Sequence, residues 1–115
     1  MKRKELIYLE DILMAIKEIE SFIKKDKRFE TYQKSTLLKR AIERNLEIIG
    51  EATRRLKRMN PTIKIENSKK IIGLRNIITH DYAAVKDEMI WAIVINHLPK
   101  LKKEIKNLIK ERETN

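Results

Sequence analysis

Apolar residues recur every three or four positions over most of this sequence, and that period decides what the chain can fold into. From about Lys4 to Lys25 the chain carries one such apolar series: Leu9, Ile12, Ile16, Ile19 and Ile23. Residues three and four apart share one face of an α-helix, so the series predicts an amphipathic helix facing a core. The 115 residues include only 2 Gly and 2 Pro, which leaves few turns for a β fold.

A second helix is predicted from about Ser35 to Met59, with Ser35 as its N-cap. Asn60-Pro61 should end it, because the residue before a proline avoids helical geometry. Gly50 lies in the middle of this helix, where it is expected to allow the close approach of a neighbouring helix. Residues 24–35, which precede this helix, show no apolar period and are expected to form a basic connector.

Asn67 or Ser68 is expected to cap a third helix, whose buried edge is formed by Ile71, Leu74 and Ile78. A fourth should begin near Asp87 and bury the series Trp91, Val94, Leu98, Leu101, Ile105 and Leu108. Pro99 removes one backbone donor from it and should kink it. The sequence therefore predicts an all-α, antiparallel four-helix-type bundle, three long helices and one short, as a single domain over residues 1–115.

The charge and composition limit the class of function. The net charge of +10 and the pI of about 9.9 favour a polyanionic partner such as nucleic acid. With no Cys and 2 His, neither a disulfide framework nor a thiolate metal site is possible. No apolar run approaches the roughly 20 residues that span a bilayer, and the N-terminus does not resemble a signal peptide. A cytoplasmic protein without a membrane association is expected.

Residues 75 to 82, "RNIITHDY", differ from the Lys, Glu, Ile and Leu of the rest of the chain. Arg75 and His80 are five residues apart, which separates them by about 140° on a straight helix. Asn76 and His80 would be neighbours, and Arg75 and Tyr82 would return to nearly the same face. We expect a helix break around 79–81 that swings His80 toward Arg75, combined with a contact between subunits.

The residue types in this cluster suit the cleavage of RNA without a metal ion. Arg75 would bind the phosphate and stabilise its charged transition state, and His80 would move protons near neutral pH. The reaction is best served by two proton-handling groups, which a two-fold dimer would supply from two copies of the cluster. On the residues alone, a structural polar network joining helices three and four remains the simpler interpretation. His97 is interpreted as structural or as a surface residue.

"RNIITHDY" resembles the Arg-x4-His-x-Tyr motif of the HepT-like toxins, which are members of the HEPN superfamily. "IIGEATRRL" at residues 48 to 56 is similar to the family's Ile-Gly-Glu-Ala signature, and "IWAIVINHLPKL" at residues 90 to 101 is similar to its Trp and Leu-Pro-x-Leu elements. The resemblance covers nearly the whole chain. One departure is that Thr62 follows Pro61, where family members often have Trp.

The resemblance implies a homodimeric helical bundle whose motifs face each other across the interface. It also implies a cofactor-free, metal-independent endoribonuclease toxin, silenced when a minimal nucleotidyltransferase antitoxin attaches AMP to the motif tyrosine. Carried over to this chain, it makes Arg75 and His80 the catalytic pair, Asn76 their support and Tyr82 the AMPylation site. Glu51 either orients Arg75 as a salt-bridge partner or is a surface acid of helix two.

Two other functions stay open at this point. The chain is either a non-catalytic subunit that presents nucleotide or RNA to a nucleotidyltransferase, or a helical dimerisation module whose polar cluster fixes the register. Two basic runs are available for contacts with an RNA backbone, although a solvated surface is their default interpretation. These runs are Arg54, Arg55, Lys57 and Arg58, and the connector residues Lys24, Lys25, Lys27 and Arg28.

Overall fold

Helices are the only regular elements of this protein in its computed structural model, which describes residues 2–113, and no strand occurs among those residues. In chain order they are α1 (Lys2–Ile23), α2 (Phe29–Lys34), α3 (Thr36–Met59), α4 (Ser68–His80), α5 (Asp87–Ala92) and α6 (Leu98–Glu113). A 3₁₀ turn at Tyr82–Ala84 follows α4, and a π turn at Ile93–His97 joins α5 to α6. Residues 87–113 thus form one continuous helix. The prediction of an all-α bundle is confirmed.

Ion pairs at both ends of α6 show how it packs on α1. Arg112 near the end of α6 donates to Glu5 near the start of α1 at 2.8 Å, and Lys102 donates to Glu20 at 2.8 Å. Because a higher residue number on α6 matches a lower one on α1, the two helices run antiparallel.

The predicted apolar series form the core. All five members of the α1 series are buried, and α3 packs against them with Ile42, Ile49, Ala52 and Leu56. Ser35 caps α3 as expected, because its hydroxyl accepts a hydrogen bond from the Leu38 N–H at 3.1 Å. Asn45, a polar residue on the buried face, bonds to Glu18 at 3.1 Å. No helix among residues 2–113 is long and apolar enough to cross a membrane.

The connector prediction for residues 24–35 is wrong in part, because the segment contains the short helix α2. Tyr32 of α2 is fully buried, and its ring stacks on Trp91 with 5.2 Å between the centroids. Phe29 lies 6.4 Å from the same indole ring. A helix of six residues is too short to display the three- or four-residue repeat of apolar side chains that identifies a helix in a sequence. The aromatic packing that holds α2 therefore could not be recognised from that repeat.

A π turn lies just before Pro99, where the sequence predicts a kink. The Leu98 N–H bonds to the Ile93 carbonyl, a five-residue separation that widens the helix just before the proline. Pro99 has no N–H to donate, and a π turn is one way in which a helix accommodates such a local mismatch. His97 lies in this turn and is half-buried.

Candidate active site

Gly50 is where α4 comes closest to α3. A Cβ atom placed on Gly50 would lie 2.3 Å from the Arg75 Cβ and 3.1 Å from the Ile71 carbonyl oxygen. Only a residue without a side chain fits here, which confirms the close approach expected from the sequence. The contact presses the backbone of α4 onto α3 at Arg75, and it fixes the point from which the Arg75 side chain extends.

The Arg75 guanidinium is held by the two residues predicted to support it. Its Nη2 lies 3.5 Å from the Glu51 Oε1, and its Nη1 donates to the Asn76 Oδ1 at 3.0 Å. The Arg75 side chain is 25% exposed, so it reaches solvent while its direction is constrained. This placement is the one that a supporting role for Glu51 and Asn76 requires.

Glu51 shares its charge among three arginines. It accepts from Arg54 at 2.8 and 3.1 Å and from Arg55 at 3.0 Å. The Arg54 hydrogen bond is the largest cause that lowers the pKa of Glu51 to about 2, with further lowering by Arg55 and Arg75 against the opposing effect of burial. Glu51 is therefore an anion at any physiological pH, and its longer contact with Arg75 leaves that guanidinium able to bind a phosphate.

His80 is the last residue of α4, and its side chain is exposed. No side chain or backbone group among residues 2–113 makes a hydrogen bond to its imidazole. The expected break occurs at Asp81, with φ −143° and ψ 60°, which is one residue too late to swing His80 toward Arg75. That part of the prediction is wrong: the helix continues through His80, and within residues 2–113 its imidazole and the Arg75 guanidinium are not bonded to each other.

Tyr82 lies just after the helix break at Asp81, and its side chain contacts α3. Its hydroxyl donates to both oxygens of Glu43, at 2.9 and 3.0 Å, and accepts from Nη1 of Arg40. The Arg40 guanidinium carbon lies 5.1 Å from the centre of the Tyr82 ring. Burial is the largest cause that raises the pKa of Tyr82, followed by the hydrogen bond to Glu43. Tyr82 does not lie on α4 with Arg75, because the helix ends between them, but both side chains contact glutamates on the same face of α3.

Three glutamates of α3 form a ladder beside the motif, defined by Glu43, Glu47 and Glu51 at four-residue intervals. Each contacts one residue of the segment from α4 to the 3₁₀ turn: Glu43 contacts Tyr82, Glu47 accepts from Thr79 at 3.2 Å, and Glu51 contacts Arg75. The order is reversed along the two segments, so α3 and α4 are antiparallel. The acid ladder fixes the motif segment to α3 along its length.

Sequence reasoning singled out Glu51 but missed Glu43, Glu47 and Arg40. The available signal was the four-residue spacing of the glutamates, which places them on one face of α3. Glu43 also follows the fully buried Ile42, and its side chain is only 6% exposed. Burying a carboxylate is costly unless it is paired. The position of Glu43 therefore predicts a hydrogen-bonding or positively charged partner for its side chain.

A shallow groove of about 260 Å³ lies between α1, α3 and α4, with Arg75 at its wall. Its charged lining consists of Asp11, Arg44, Glu47, Glu51, Arg55 and Arg75. His97 instead lines an apolar cavity of about 150 Å³ whose walls include neither Arg75 nor His80. Within residues 2–113, no group of three His, Asp or Glu side chains is arranged to hold a metal ion.

Comparisons with known proteins identify the family of this chain. The family model described as "Ribonuclease HepT-like" matches residues 12–108. A protein of Caldanaerobacter subterraneus subsp. tengcongensis named "Putative RNase TTE0752" is 35% identical over 109 residues, which cover 92% of this chain and 95% of the relative. No solved structure gives a significant match.

Two archaeal relatives are similar over comparable lengths. A Methanocaldococcus jannaschii protein named "Putative RNase MJ1380" is 35% identical over 106 residues, covering 90% of this chain and 95% of the relative. "Probable ribonuclease HepT" of Thermococcus cleftensis is 34% identical over 114 residues, covering 96% of this chain and all of the relative. The chain belongs to the HepT-like ribonuclease family, as the resemblance of its motif indicates.

Proposed function

We propose that this protein is a metal-independent endoribonuclease of a toxin–antitoxin pair, with Arg75 and His80 as its catalytic residues. The observation that carries the proposal is the constrained but solvent-accessible Arg75 guanidinium, held by Glu51 and Asn76 in a chain of a ribonuclease family. His80, exposed and unbonded within the described chain, is available for proton transfer to or from a substrate.

In the proposed reaction His80 takes the proton of an RNA 2′-hydroxyl. The 2′-oxygen attacks the adjacent phosphorus, the bond from phosphorus to the 5′-oxygen breaks, and an acid returns a proton to that leaving oxygen. Arg75 stabilises the negative charge that accumulates on the phosphorus-bound oxygens, as a fixed cation does in such transition states. Asn76 and Glu51 keep the guanidinium in place.

The proposal requires a homodimer, because one protomer supplies one motif imidazole, which makes no hydrogen bond to Arg75 within residues 2–113. A two-fold axis would place two copies of Arg75 and His80 in one cleft and so supply both a base and an acid. Ile7 and Met14 of α1 support such a contact: they are 53% and 67% exposed, and their seven-residue spacing puts them on one side of the helix. Light scattering after gel filtration measures the oligomeric state, and a dimer is expected.

The regulatory part of the proposal is that a nucleotidyltransferase antitoxin attaches AMP to Tyr82. Tyr82 is 45% exposed and lies two residues after His80. AMP adds bulk and negative charge where an RNA phosphate must approach. The test is an intact-mass measurement after incubation with the neighbour-encoded nucleotidyltransferase and ATP. An AMP adduct that is lost in Tyr82→Phe is expected, and an adduct that persists in Tyr82→Phe would exclude this residue.

RNA cleavage in the presence of EDTA tests the enzymatic part. The wild-type protein should cleave RNA under these conditions, and Arg75→Ala and His80→Ala should each lose the activity by about 100-fold or more. His97→Ala is the matched control, since it removes the other imidazole of the chain from a cavity away from the motif. Cleavage that survives both motif substitutions contradicts the assignment.

The second candidate is a non-catalytic subunit that binds RNA or nucleotide for a nucleotidyltransferase. One observation favours it: the Arg75 guanidinium is constrained and reaches solvent, as phosphate binding requires, while His80 makes no hydrogen bond to it within residues 2–113. A gel-shift assay separates the two functions. Tight RNA binding that depends on Arg75, without cleavage in any condition, supports the binding subunit and contradicts the nuclease.

A further inference from the structure

Glu43 is a buried carboxylate that the proposed RNA chemistry does not use. Its side chain is 6% exposed, and both of its oxygens accept from the Tyr82 hydroxyl, at 2.9 and 3.0 Å. The Tyr82 side chain is nevertheless 45% exposed, so a reactant can approach it from solvent. A hydroxyl whose proton is already directed to a carboxylate is arranged to act as a nucleophile.

Arg40 adds a cation beside the same hydroxyl. Its Nη1 donates to the Tyr82 oxygen and lies 3.3 Å from the Glu43 Oε1, which leaves Nη2 and Nε without a hydrogen bond to any residue in the range 2–113. The Arg40 side chain is 58% exposed. It therefore has donors facing solvent next to the nucleophile, in the fork geometry that binds phosphate oxygens.

We infer that Glu43 accepts the Tyr82 proton, and Arg40 binds the phosphate, when the Tyr82 hydroxyl attacks the α-phosphorus of a nucleoside triphosphate. The inference rests on the proposed modification of Tyr82 and assigns residues of this chain to it. In the step, the bond from the Tyr82 oxygen to phosphorus forms and the bond to the oxygen of the β-phosphate breaks. Pyrophosphate leaves, and the proton moves to Glu43, which later releases it to water.

The electrostatic surroundings explain why a proton acceptor is needed. Burial and the Glu43 carboxylate hold the pKa of Tyr82 above its ordinary value of 10.0, so the phenolate is scarce at neutral pH. The other titratable groups facing Tyr82 are Tyr32 of α2 and Asp87 of α5, which is paired with Lys39 at 3.0 Å. Neither bonds to the Tyr82 hydroxyl, which leaves Glu43 as the acceptor.

Tyr8 is an internal control for this reactivity. Arg55 donates to its hydroxyl at 3.4 Å and lies over its ring at 5.9 Å, which matches the cation of Tyr82. No carboxylate within residues 2–113 bonds to the Tyr8 hydroxyl. Tyr8 is less exposed than Tyr82, so the comparison of the two reports both exposure and the carboxylate, and the Glu43→Gln variant separates these effects. The fully buried Tyr32 should not react.

The probe is fluorosulfonylbenzoyl adenosine, an electrophile that reacts with tyrosine oxygens and needs no partner protein. We expect wild-type protein to be labelled at Tyr82 at least about tenfold faster than at Tyr8, as measured by peptide mass spectrometry. Glu43→Gln should lose that advantage, while Glu47→Gln, a change one helical turn away, should keep it. Equal labelling of Tyr82 and Tyr8 in the wild-type protein overturns the inference and needs no variant.

The pH profile separates proton transfer from a structural role. If Glu43 takes the proton of Tyr82 during the attack, the reaction does not wait for the free phenolate, and the wild-type labelling rate should rise little from about pH 6 to about pH 9. Without Glu43 the reaction must use the free phenolate, and the rate should rise about tenfold per pH unit. If the Tyr82 labelling rate rises equally with pH in the wild-type protein and in Glu43→Gln, Glu43 holds the 3₁₀ turn in place but does not accept the proton.

The nucleotidyltransferase partner distinguishes failure of this inference from failure of the proposed modification. AMP attachment to Tyr82 at equal rates in the wild-type protein and Glu43→Gln overturns the role of Glu43 and leaves the modification intact. Labelling by the probe that depends on Glu43, with no AMP adduct from the partner and ATP, supports the reactivity and removes the modification from the proposed function.

Discussion

Gly50→Ala is the substitution that most sharply tests the packing beneath Arg75. Its new Cβ would lie 2.3 Å from the Arg75 Cβ, whereas ordinary contacts begin at 3.4 Å. The helices must therefore separate by about 1 Å, because the opposing atoms are a Cβ and a backbone carbonyl that cannot rotate away. Overpacking of this kind costs about 1–3 kcal/mol, against a gain of about 1 kcal/mol from alanine in a helix.

We expect Gly50→Ala to lower the free energy of unfolding by about 2 kcal/mol, since the opposing atoms are rigid. Urea denaturation followed by far-ultraviolet circular dichroism measures this value. The displaced Arg75 should also reduce RNA cleavage, because errors of about 1 Å in a catalytic group lower rates by up to about 100-fold. The two losses have one cause and should appear together.

Gly73→Ala is the matched control within α4. A Cβ at Gly73 meets nothing within 4 Å, so this variant should gain up to about 1 kcal/mol from helix propensity and keep its activity. If Gly50→Ala is as stable as Gly73→Ala, the close approach of α4 to α3 is not real, and the account of how Arg75 is positioned is wrong.

Three further predictions concern stability. Tyr32→Phe removes a buried hydroxyl that has no partner within residues 2–113, and it should raise the free energy of unfolding by about 1 kcal/mol in urea denaturation; a loss of that size would show that the hydroxyl is satisfied. Arg112 and Glu5 form an ion pair whose side chains are 12% and 8% exposed. Arg112→Met leaves Glu5 buried and unpaired and should lower the free energy of unfolding by about 3 kcal/mol. Adding Glu5→Gln to the same chain should reduce that loss. The lowered pKa of Glu51 means that its contribution to stability is present above its ordinary pKa of 4.5 and is lost as the pH falls toward about 2. In Glu51→Gln, the free energy of unfolding should fall less steeply with decreasing pH in this acidic range. An unchanged slope would contradict the pairing of Glu51 with the three arginines.

The long helices were predictable from the sequence because their apolar residues repeat with the period of an α-helix. The series in α1 and the Ser35 cap are direct consequences of local chemistry. α2 was not predictable, since Tyr32 is buried by stacking on Trp91, a residue far along the chain. Such a contact does not require a regular repeat of apolar residues within the six residues of the helix.

The sequence indicated some of the candidate site's residues, but it missed Glu43, Glu47 and Arg40 and did not predict the contacts of Tyr82. The motif spacing indicated Arg75 and His80, and the positions of Glu51 and Asn76 agree with supporting roles. The partners of Tyr82 depend on where α4 ends, and a helix boundary is uncertain by a residue or two from sequence. Because the helix continues through His80, the break aims Tyr82 at Glu43 of α3 instead of aiming His80 at Arg75.

The central claim is that Arg75 of one protomer and His80 of its partner act on the same phosphodiester. The direct test mixes Arg75→Ala and His80→Ala proteins after partial unfolding, so that protomers exchange, and measures RNA cleavage in EDTA. Each variant alone should be inactive. The mixture should regain part of the activity, because each mixed dimer holds one intact Arg75 and one intact His80 in a shared cleft but lacks the second imidazole. Mixed dimers that are visible by native mass spectrometry but remain inactive would contradict the claim.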